Sequence, residues 1–349
     1  MKKLIYVVPV LIVVGLIAFS KQRANTVSDG SGKRTLYLFA MSDYFPANVL
    51  KDFEAKHNCE VKYDNFSNNE ELLAKLQAGA TGYDVIVPSD YVVQALTAGG
   101  HLQKIDKSKI PELKNLAKDF VNPPYDTKSE YTVPYTWGTT GLVYNTKHVK
   151  GNVDSWNVLF EKEYAGKIAL LDDEREVLGA MLHKLGFSTN TTDKAELAKA
   201  QELLIKVKPN VRLFASDPKQ HVLSGDVWIA HIFSGDALQV IKTNPALKYV
   251  VPKEGGMIWI DNMAIPTGAK NAELAHEFIN MILEAGPAKT ITEELMYSSP
   301  NMAVENVIED VSLRPSYIKA IKTSRLEFLK DLGAESEHWD RLWMEAKAH

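Results

Sequence analysis

After residue 34 the hydrophobic pattern changes period repeatedly. Short apolar runs typical of strands alternate with the three-to-four spacing typical of amphipathic helices. In chain order these strand and helix candidates cover 34–40, 46–57, 61–63, 69–78, 83–88 and 91–98. This alternation predicts an α/β fold with parallel strands, whose ligands bind beyond the carboxyl ends of the strands. Loops at 41–44, 89–91 and 137–140 would then face one crevice.

The second half of the chain repeats this pattern with different spacing. Strand candidates lie at 142–144, 167–171, 211–214, 227–232 and 249–251. They predict a second α/β region over about 140–252, followed by some 80 mostly helical residues. A chain of 349 residues is long enough for two domains of ordinary size.

The N-terminus is typical of an export signal. Lys2 and Lys3 precede a 16-residue apolar run at 4–19, shorter than the roughly 20 residues that a membrane span needs. Ala18-Phe19-Ser20 is an acceptable small-x-small cleavage site. Residues 1–20 are therefore predicted to be a signal peptide or an uncleaved anchor, and 21–33 a polar tether. We expect a protein that works in the periplasm, either free or held at the outer face of the cytoplasmic membrane.

Composition narrows the classes of function. The chain is 45% hydrophobic and 24% charged, as in globular proteins. Its net charge is −4, or −6 without residues 1–20, which argues against a nucleic-acid partner. The single cysteine, Cys59, cannot form a disulfide within the chain, and nine scattered histidines without an H-x-x-x-H spacing argue against a metal site. No cofactor-binding motif is present, so we expect no cofactor.

The segment 255–266, GGMIWIDNMAIP, is the most informative stretch. In an extended strand Trp259 and Asp261 point to the same face. A carboxylate beside an aromatic face is suited to gripping a cation, because the ring attracts the cation and the carboxylate accepts its N–H groups. The alternative is an Asp at a strand end that forms a turn or a salt bridge.

A second acidic segment covers residues 172–176, DDERE. Asp173 and Glu176 are spaced i, i+3 near a predicted helix start, so both carboxylates can face one side. The alternative is that acids in a first helical turn only complement the helix dipole.

Short motifs in a fixed order accompany these two segments. They are Tyr44, Val87-Pro88-Ser89-x-Tyr91, 103–109 (QKIDKSK), Pro134-Tyr135-x-Trp137-Gly138, 172–177 (DDEREV), 252–256 (PKEGG), Trp259-x-Asp261, Ala264-Ile265-Pro266 and Ser299-Pro300-Asn301. This series resembles the spermidine/putrescine-binding proteins, the extracytoplasmic receptors of polyamine ABC importers. The resemblance runs from about residue 35 to the C-terminus.

The resemblance implies the type II periplasmic-binding-protein fold, with two α/β lobes that close on a ligand. Lobe one would comprise 34–137 and 262–303, and lobe two 138–261 and 304–349, with hinge strands near 135–139 and 261–265. It also implies a polyamine ligand, such as putrescine or spermidine, the permease subunits of an ABC importer as partners, and no catalytic activity. Asp173, Glu176 and Asp261 would bind the amines and Trp259 would stack on the ligand. The further ligand-binding candidates are Met41, Ser42, Asp43, Tyr44, Ser89, Tyr91, Ser216, Phe233, Asp236 and Tyr297.

The chain departs from the family pattern at several of these positions. Ala40-Met41 replaces an Asn-Trp pair, and Phe233 replaces a Trp. Leu329, which we expect to be a helix-packing residue, replaces a Gln. Asp236 matches the residue of the putrescine-preferring branch of the family, whereas the spermidine branch has Ser at this position. Taken with the other departures, the resemblance supports the polyamine class but does not determine which polyamine binds.

Three other classes of function remain compatible with the sequence. Paired carboxylates could serve a hydrolase as general acid and base, although no nucleophile elbow or phosphate-binding loop is present. A receptor of the same fold could take another cationic solute or a metal ion. A sensory binding protein could keep the closing lobes and pass the ligand signal to a membrane receptor.

Overall fold

The structure is a computed structural model that describes residues 33–79, 82–151, 153–321 and 325–349. The predicted signal or anchor segment 1–20 and all but the last residue of the tether lie outside these ranges. Within the described ranges, no helix combines the length and the apolar character needed to cross a bilayer.

The strands belong to one mixed sheet. They are β1 (Arg34–Met41), β2 (Cys59–Phe66), β3 (Val85–Ile86), β4 (Thr132–Asn145), β5 (Ile168–Leu171), β6 (Val211–Ala215), β7 (Ile229–Phe233), β8 (Leu247–Val250), β9 (Gly256–Ala264) and β10 (Leu326–Phe328). Their order is β2-β1-β3-β9-β4-β7-β5-β6, with β10 beside β9 and β8 beside β4.

The α-helices pack on both parts of this sheet. They are α1 (Ala47–His57), α2 (Asn69–Gln77), α3 (Asp90–Ala98), α4 (Glu174–Leu185), α5 (Lys194–Val207), α6 (Lys219–Ser224), α7 (Ser234–Thr243), α8 (Ala272–Ile282), α9 (Ala285–Leu295), α10 (Ile318–Ile321) and α11 (Ser336–Ala348). The α/β class predicted from the alternating pattern is confirmed.

Two parallel groups of strands are joined by two antiparallel ones. β1 pairs in parallel with β2 and β3, and β5 pairs in parallel with β6 and β7. Between these groups β4 runs antiparallel to β9 over its first half and antiparallel to β7 and β8 over its second half. β4 therefore carries the chain from one group to the other without a break.

Each group has a hydrophobic core of its own. Leu36, Leu38 and Phe53 pack with Phe278 and Ile279 of α8 around β1 and β3. Around β5 the core contains Trp156, Leu170, Leu178 and Leu204 together with Trp339 of α11. The C-terminal helix thus completes the core of the β5 group.

One sequence-based expectation about secondary structure is wrong: residues 137–140, expected to be a loop, lie inside β4. The C-terminal region is mostly helical, as predicted, and contains the short strand β10 in addition. Position 138 of β4 requires a glycine, because a Cβ there would lie 2.7 Å from Cζ2 of the Trp259 side chain on β9. This glycine therefore marks a close approach between two strands rather than a turn.

Candidate functional site

A cavity lies where the ends of β1 and β3, the middle of β9 and the start of α4 meet, and ten of the fourteen predicted side chains line it. The space between its walls, counted together with the part open to solvent, is about 430 Å³. The ten are Met41, Tyr44, Ser89, Tyr91, Asp173, Glu176, Phe233, Trp259, Asp261 and Tyr297, and Asn69 and Leu329 complete the lining. Two acidic segments that are far apart in the sequence therefore face one space.

Asp261 reaches the cavity from the middle of β9 and is only 4% exposed. Its Oδ1 accepts a hydrogen bond from Ser89 Oγ at 2.5 Å, and its Oδ2 accepts one from the Tyr44 hydroxyl. Burial raises the pKa of Asp261 to about 6, although both hydrogen bonds favour its ionised form. The carboxylate is thus held in place by neutral donors and keeps an uncompensated negative charge.

Ser89 is itself positioned by Asn69, a side chain that the sequence analysis missed. The Ser89 amide donates to Asn69 Oδ1 at 3.0 Å, and Asn69 Nδ2 donates to Ser89 Oγ at 2.9 Å. Because Asn69 Nδ2 donates to the Ser89 hydroxyl, that hydroxyl is free to direct its own proton at Asp261. Asn69 begins α2, and nothing in its local pattern distinguishes it from an ordinary residue at a helix start.

Asp173 and Glu176 lie at the N-terminus of α4. Asp173 is the N-cap residue, and its Oδ1 accepts a hydrogen bond from the Glu176 amide at 3.0 Å. The helix-stabilising role considered as an alternative therefore holds for Asp173, which also lines the cavity. The capping bond fixes the Asp173 carboxylate beside the first turn, which carries Glu176.

Glu176 is 4% exposed, and its buried Oε2 has no hydrogen-bond partner among the described residues. Burial raises the pKa of Glu176 well above its ordinary value, and the charge of Asp173 raises it further. An unpaired buried carboxylate is unfavourable unless a cation or a donor meets it. This side chain is therefore ready to accept hydrogen bonds from a cationic ligand.

Four aromatic rings form a connected wall around these acids. The Trp259 ring lies 5.8 Å from Phe233 and 5.2 Å from Tyr297, and Tyr297 lies 6.0 Å from Tyr44, all edge to face. Trp259 Nε1 donates to Thr140 Oγ1 at 3.3 Å, which fixes the indole in the wall. Rings held in this way offer flat surfaces to an alkyl chain or a cation.

Glu70 and Arg175 add charges next to the cavity that the sequence analysis did not assign. Glu70 Oε1 accepts a hydrogen bond from the Tyr91 hydroxyl at 2.7 Å. Burial, followed by the charge of Asp173, raises the pKa of Glu70 to about 7. The Arg175 guanidinium lies between the rings of Tyr91, at 5.3 Å, and Trp339, at 4.9 Å. Through these two cation–π contacts, Arg175 holds the first turn of α4 against Tyr91 and Trp339.

The other four predicted side chains, Ser42, Asp43, Ser216 and Asp236, lie outside the cavity. They line an adjoining wider space, here called the vestibule, which also contains Lys219. Met41, Tyr44, Phe233 and Tyr297 line both spaces. The Asp236 carboxylate already has a partner within the protein, because its Oδ1 accepts a hydrogen bond from Lys219 Nζ at 3.0 Å.

The expectation for Leu329 is wrong. This residue does not pack in a helix but follows β10, is 5% exposed, and lines the cavity. Because β10 pairs with β9, it places Leu329 near the strand that carries Trp259 and Asp261. Leu329 thus supplies an apolar wall where the family pattern has an amide.

The acids of the site do not form a metal-binding group. Across the described residues, no cluster of three or more His, Cys, Asp or Glu side chains has the geometry to hold a metal ion. Cys59 lies buried in β2 as a free thiol.

The chain is similar to proteins of known families. Residues 48–312 match the family of bacterial extracellular solute-binding proteins. The chain is 36% identical to the spermidine/putrescine-binding periplasmic protein of Escherichia coli over 343 residues, 97% of each chain. It is 35% identical to the putrescine/cadaverine-binding protein of Pseudomonas aeruginosa over 329 residues, 89% of this chain and 93% of that one.

A solved structure shows the same arrangement. The TpPotD lipoprotein of Treponema pallidum superposes with a TM-score of 0.81 at 31% identity, covering 90% of this chain and all of the other. The two-lobed periplasmic-binding-protein fold expected from the motif series is thereby confirmed. On these grounds the chain belongs to the bacterial extracellular solute-binding proteins and, among them, to the spermidine/putrescine-binding group.

Proposed function

We propose that the protein captures a polyamine of the putrescine or spermidine class between its lobes and delivers it to the permease of an ABC importer. It would act in the periplasm, either free or anchored to the outer face of the cytoplasmic membrane. Binding and release would leave the ligand chemically unchanged. Relatives named for spermidine, putrescine or cadaverine binding support this ligand class.

The observation that carries the proposal is the charge of the cavity. Asp173, Glu176 and Asp261 line it, and no Lys or Arg is among its described lining residues. A ligand with two or more ammonium groups would neutralise these acids and satisfy the unpaired Glu176 Oε2. A single positive charge would leave part of the negative charge buried, which is unfavourable.

The apolar part of the cavity suits the rest of a polyamine. Three aromatic rings offer their edges and faces to a ligand, those of Trp259, Tyr297 and Phe233. Met41 and Leu329 add flexible apolar surface to the same cavity. A methylene chain between two ammonium groups requires walls of this kind, because it has no hydrogen-bonding groups. An inorganic cation would make no use of them.

Closure would occur by rotation of one lobe about the strands that cross between them. We place lobe one at 34–137 and 262–303 and lobe two at 138–261 and 304–349, with bending near 135–139 and 261–265. β4 and β9 both run through this region. Ser89 and Tyr44 belong to lobe one and Glu176 belongs to lobe two. A ligand that contacts all three side chains would therefore favour the closed state.

A thermal-shift panel on protein freed of co-purified ligand tests the proposal. The panel contains putrescine, cadaverine, spermidine, spermine, arginine and Ca²⁺. A polyamine at about 100 times its Kd should stabilise the fold by roughly 2.7 kcal/mol, which is a readily measured shift. If arginine or Ca²⁺ stabilises the protein and no polyamine does, the ligand belongs to another class of cation and the proposal is wrong.

Polyamine affinity should fall as the pH falls below about 6. Protonated Asp261 cannot pair with an ammonium group, and its pKa in the free protein is about 6. Primary amines stay protonated between pH 5 and 8, so the change in affinity reports the titration of protein carboxyl groups and not of the ligand. The Kd of putrescine should rise roughly tenfold per pH unit below pH 6, and more steeply if Glu176 titrates too. Calorimetry from pH 5 to 8 in buffers of different ionisation heat checks this, and a flat profile would contradict it.

A further inference from the structure

Lys219 brings an ammonium group of the protein itself into the vestibule. It is the first residue of α6, and its side chain is 21% exposed. Nζ donates to Asp236 Oδ1 at 3.0 Å and to Gln239 Oε1 at 3.1 Å, and Asp217 Oδ2 lies 3.6 Å away. Among the described residues that line either space, Lys219 is the sole Lys or Arg.

This arrangement has the features of an occupied amine site. A primary ammonium group carries three donors, and here a partly buried carboxylate and an amide oxygen accept two of them. The Asp236 side chain is 13% exposed, so little water reaches the pair. Burial raises the pKa of Asp236, and the positive charge of Lys219 opposes this change.

The amine-like site adjoins the cavity through Tyr297. This ring lines both spaces and contacts Trp259 at 5.2 Å on the cavity side. Its hydroxyl is close enough to Asp236 to stabilise the ionised carboxylate. A polyamine that extended past Tyr297 would bring its next ammonium group to Asp236, where Lys219 already lies.

We propose that Lys219 determines specificity: its ammonium group takes the place of a ligand amine at Asp236, so that the protein prefers diamines to triamines and tetraamines. This inference rests on the proposed polyamine-binding function. A diamine would place both charges among Asp173, Glu176 and Asp261 and leave Lys219 undisturbed. A triamine would either displace Lys219 from Asp236 or hold a like charge beside it, and both arrangements are unfavourable.

The test compares putrescine and spermidine by calorimetry on the ligand-free full-length protein and on Lys219→Met. Methionine keeps much of the apolar stem and removes the charge. The unaltered protein should bind putrescine more tightly than spermidine. The substitution should improve the Kd of spermidine by about tenfold or more, the size of one charge-assisted hydrogen bond, and change that of putrescine by less than about threefold.

Three further variants separate specificity from folding. Lys219→Arg keeps the charge and should keep the diamine preference. Lys219→Gln retains a donor for Asp236, so it reports on charge alone should the Met variant fail to fold. In Lys219→Met combined with Asp236→Asn the gain for spermidine should disappear. The matched control is Lys242→Met, an exposed lysine of α7 outside both spaces, which should leave the ratio unchanged.

The results also distinguish this inference from the proposed function. An unchanged spermidine-to-putrescine ratio in both Lys219→Met and Lys219→Gln overturns the role of Lys219 and leaves polyamine binding intact. A preference of the unaltered protein for spermidine does the same. If neither amine binds the unaltered protein, the proposed function and the inference fail together.

Discussion

Asp261→Asn should weaken putrescine binding by roughly 10- to 150-fold, because a charge-assisted hydrogen bond worth about 1.5–3 kcal/mol is lost. The substitution keeps the size of the side chain and its position in β9. It removes a cavity acid whose two oxygens are both fixed by neutral donors, Ser89 and Tyr44. Calorimetry on ligand-free protein measures the change.

The same substitution should make the free protein more stable at pH 7. The pKa of Asp261 is about 6 in the folded protein and 3.8 as its ordinary value. Above pH 3.8 the unfolded chain therefore binds fewer protons at this residue than the folded protein, and stability falls as the pH rises to about 6. About two pKa units correspond to about 3 kcal/mol, an upper limit for the gain because Ser89 and Tyr44 must reorient toward an amide.

Asp172→Asn is the matched control for both measurements. Asp172 precedes the acidic turn of α4 but pairs with Lys347 outside the cavity. It should change the affinity by less than about twofold, in line with the small energies of exposed ion pairs. Unchanged putrescine binding in Asp261→Asn would remove the central residue of the proposed site.

Trp259→Ala should destabilise the protein strongly and also weaken ligand binding. The indole is 6% exposed, contacts Phe233 and Tyr297, and donates to Thr140. Removing a buried Trp side chain costs about 3–5 kcal/mol. Loss of its face toward an ammonium group should also weaken putrescine binding by about 2- to 30-fold, from a cation–π term of about 0.5–2 kcal/mol. Chemical denaturation and calorimetry measure the two effects.

Two variants separate packing from recognition at this position. Trp259→Phe keeps an aromatic face and should recover much of the affinity. Trp343→Ala removes an equally buried indole that packs on Phe214 in the other core, away from the cavity. It should lower stability without changing the ratio of affinities for different amines. If it weakens putrescine binding as much as Trp259→Ala does, the effect of Trp259 is general destabilisation rather than contact with the ligand.

What the sequence could predict about the site depended on local geometry. Strand alternation placed Trp259 and Asp261 on one face, and the i, i+3 spacing placed Asp173 and Glu176 on one helical turn. Both local predictions hold in the structure, and the cavity lies where the two segments meet. The resemblance to a family then supplied the hydroxyl and aromatic positions that no spacing rule selects.

The parts that sequence reasoning missed depend on contacts between distant segments. Asn69 and Glu70 acquire their roles only because α2 packs beside Ser89 and Tyr91. Lys219 meets Asp236 across the starts of two helices, which no periodicity indicates. Leu329 was misassigned because the short strand β10 gave no signal against a mostly helical C-terminal region. Such pairings are decided by tertiary packing, so they appear only in three dimensions.

The position of β9 has a consequence for how the protein is made. This strand lies between β3 and β4 in the sheet, and residue 132 of β4 pairs with residue 264 of β9. A nascent chain that ends before residue 256 therefore lacks the strand that joins its two halves and that contributes Trp259 and Met263 to the core around β1. The core around β5 is completed later still, by Trp339 of α11. Contacts so distant in sequence also slow folding after release. Completion of the fold should consequently wait until synthesis of the chain is nearly finished.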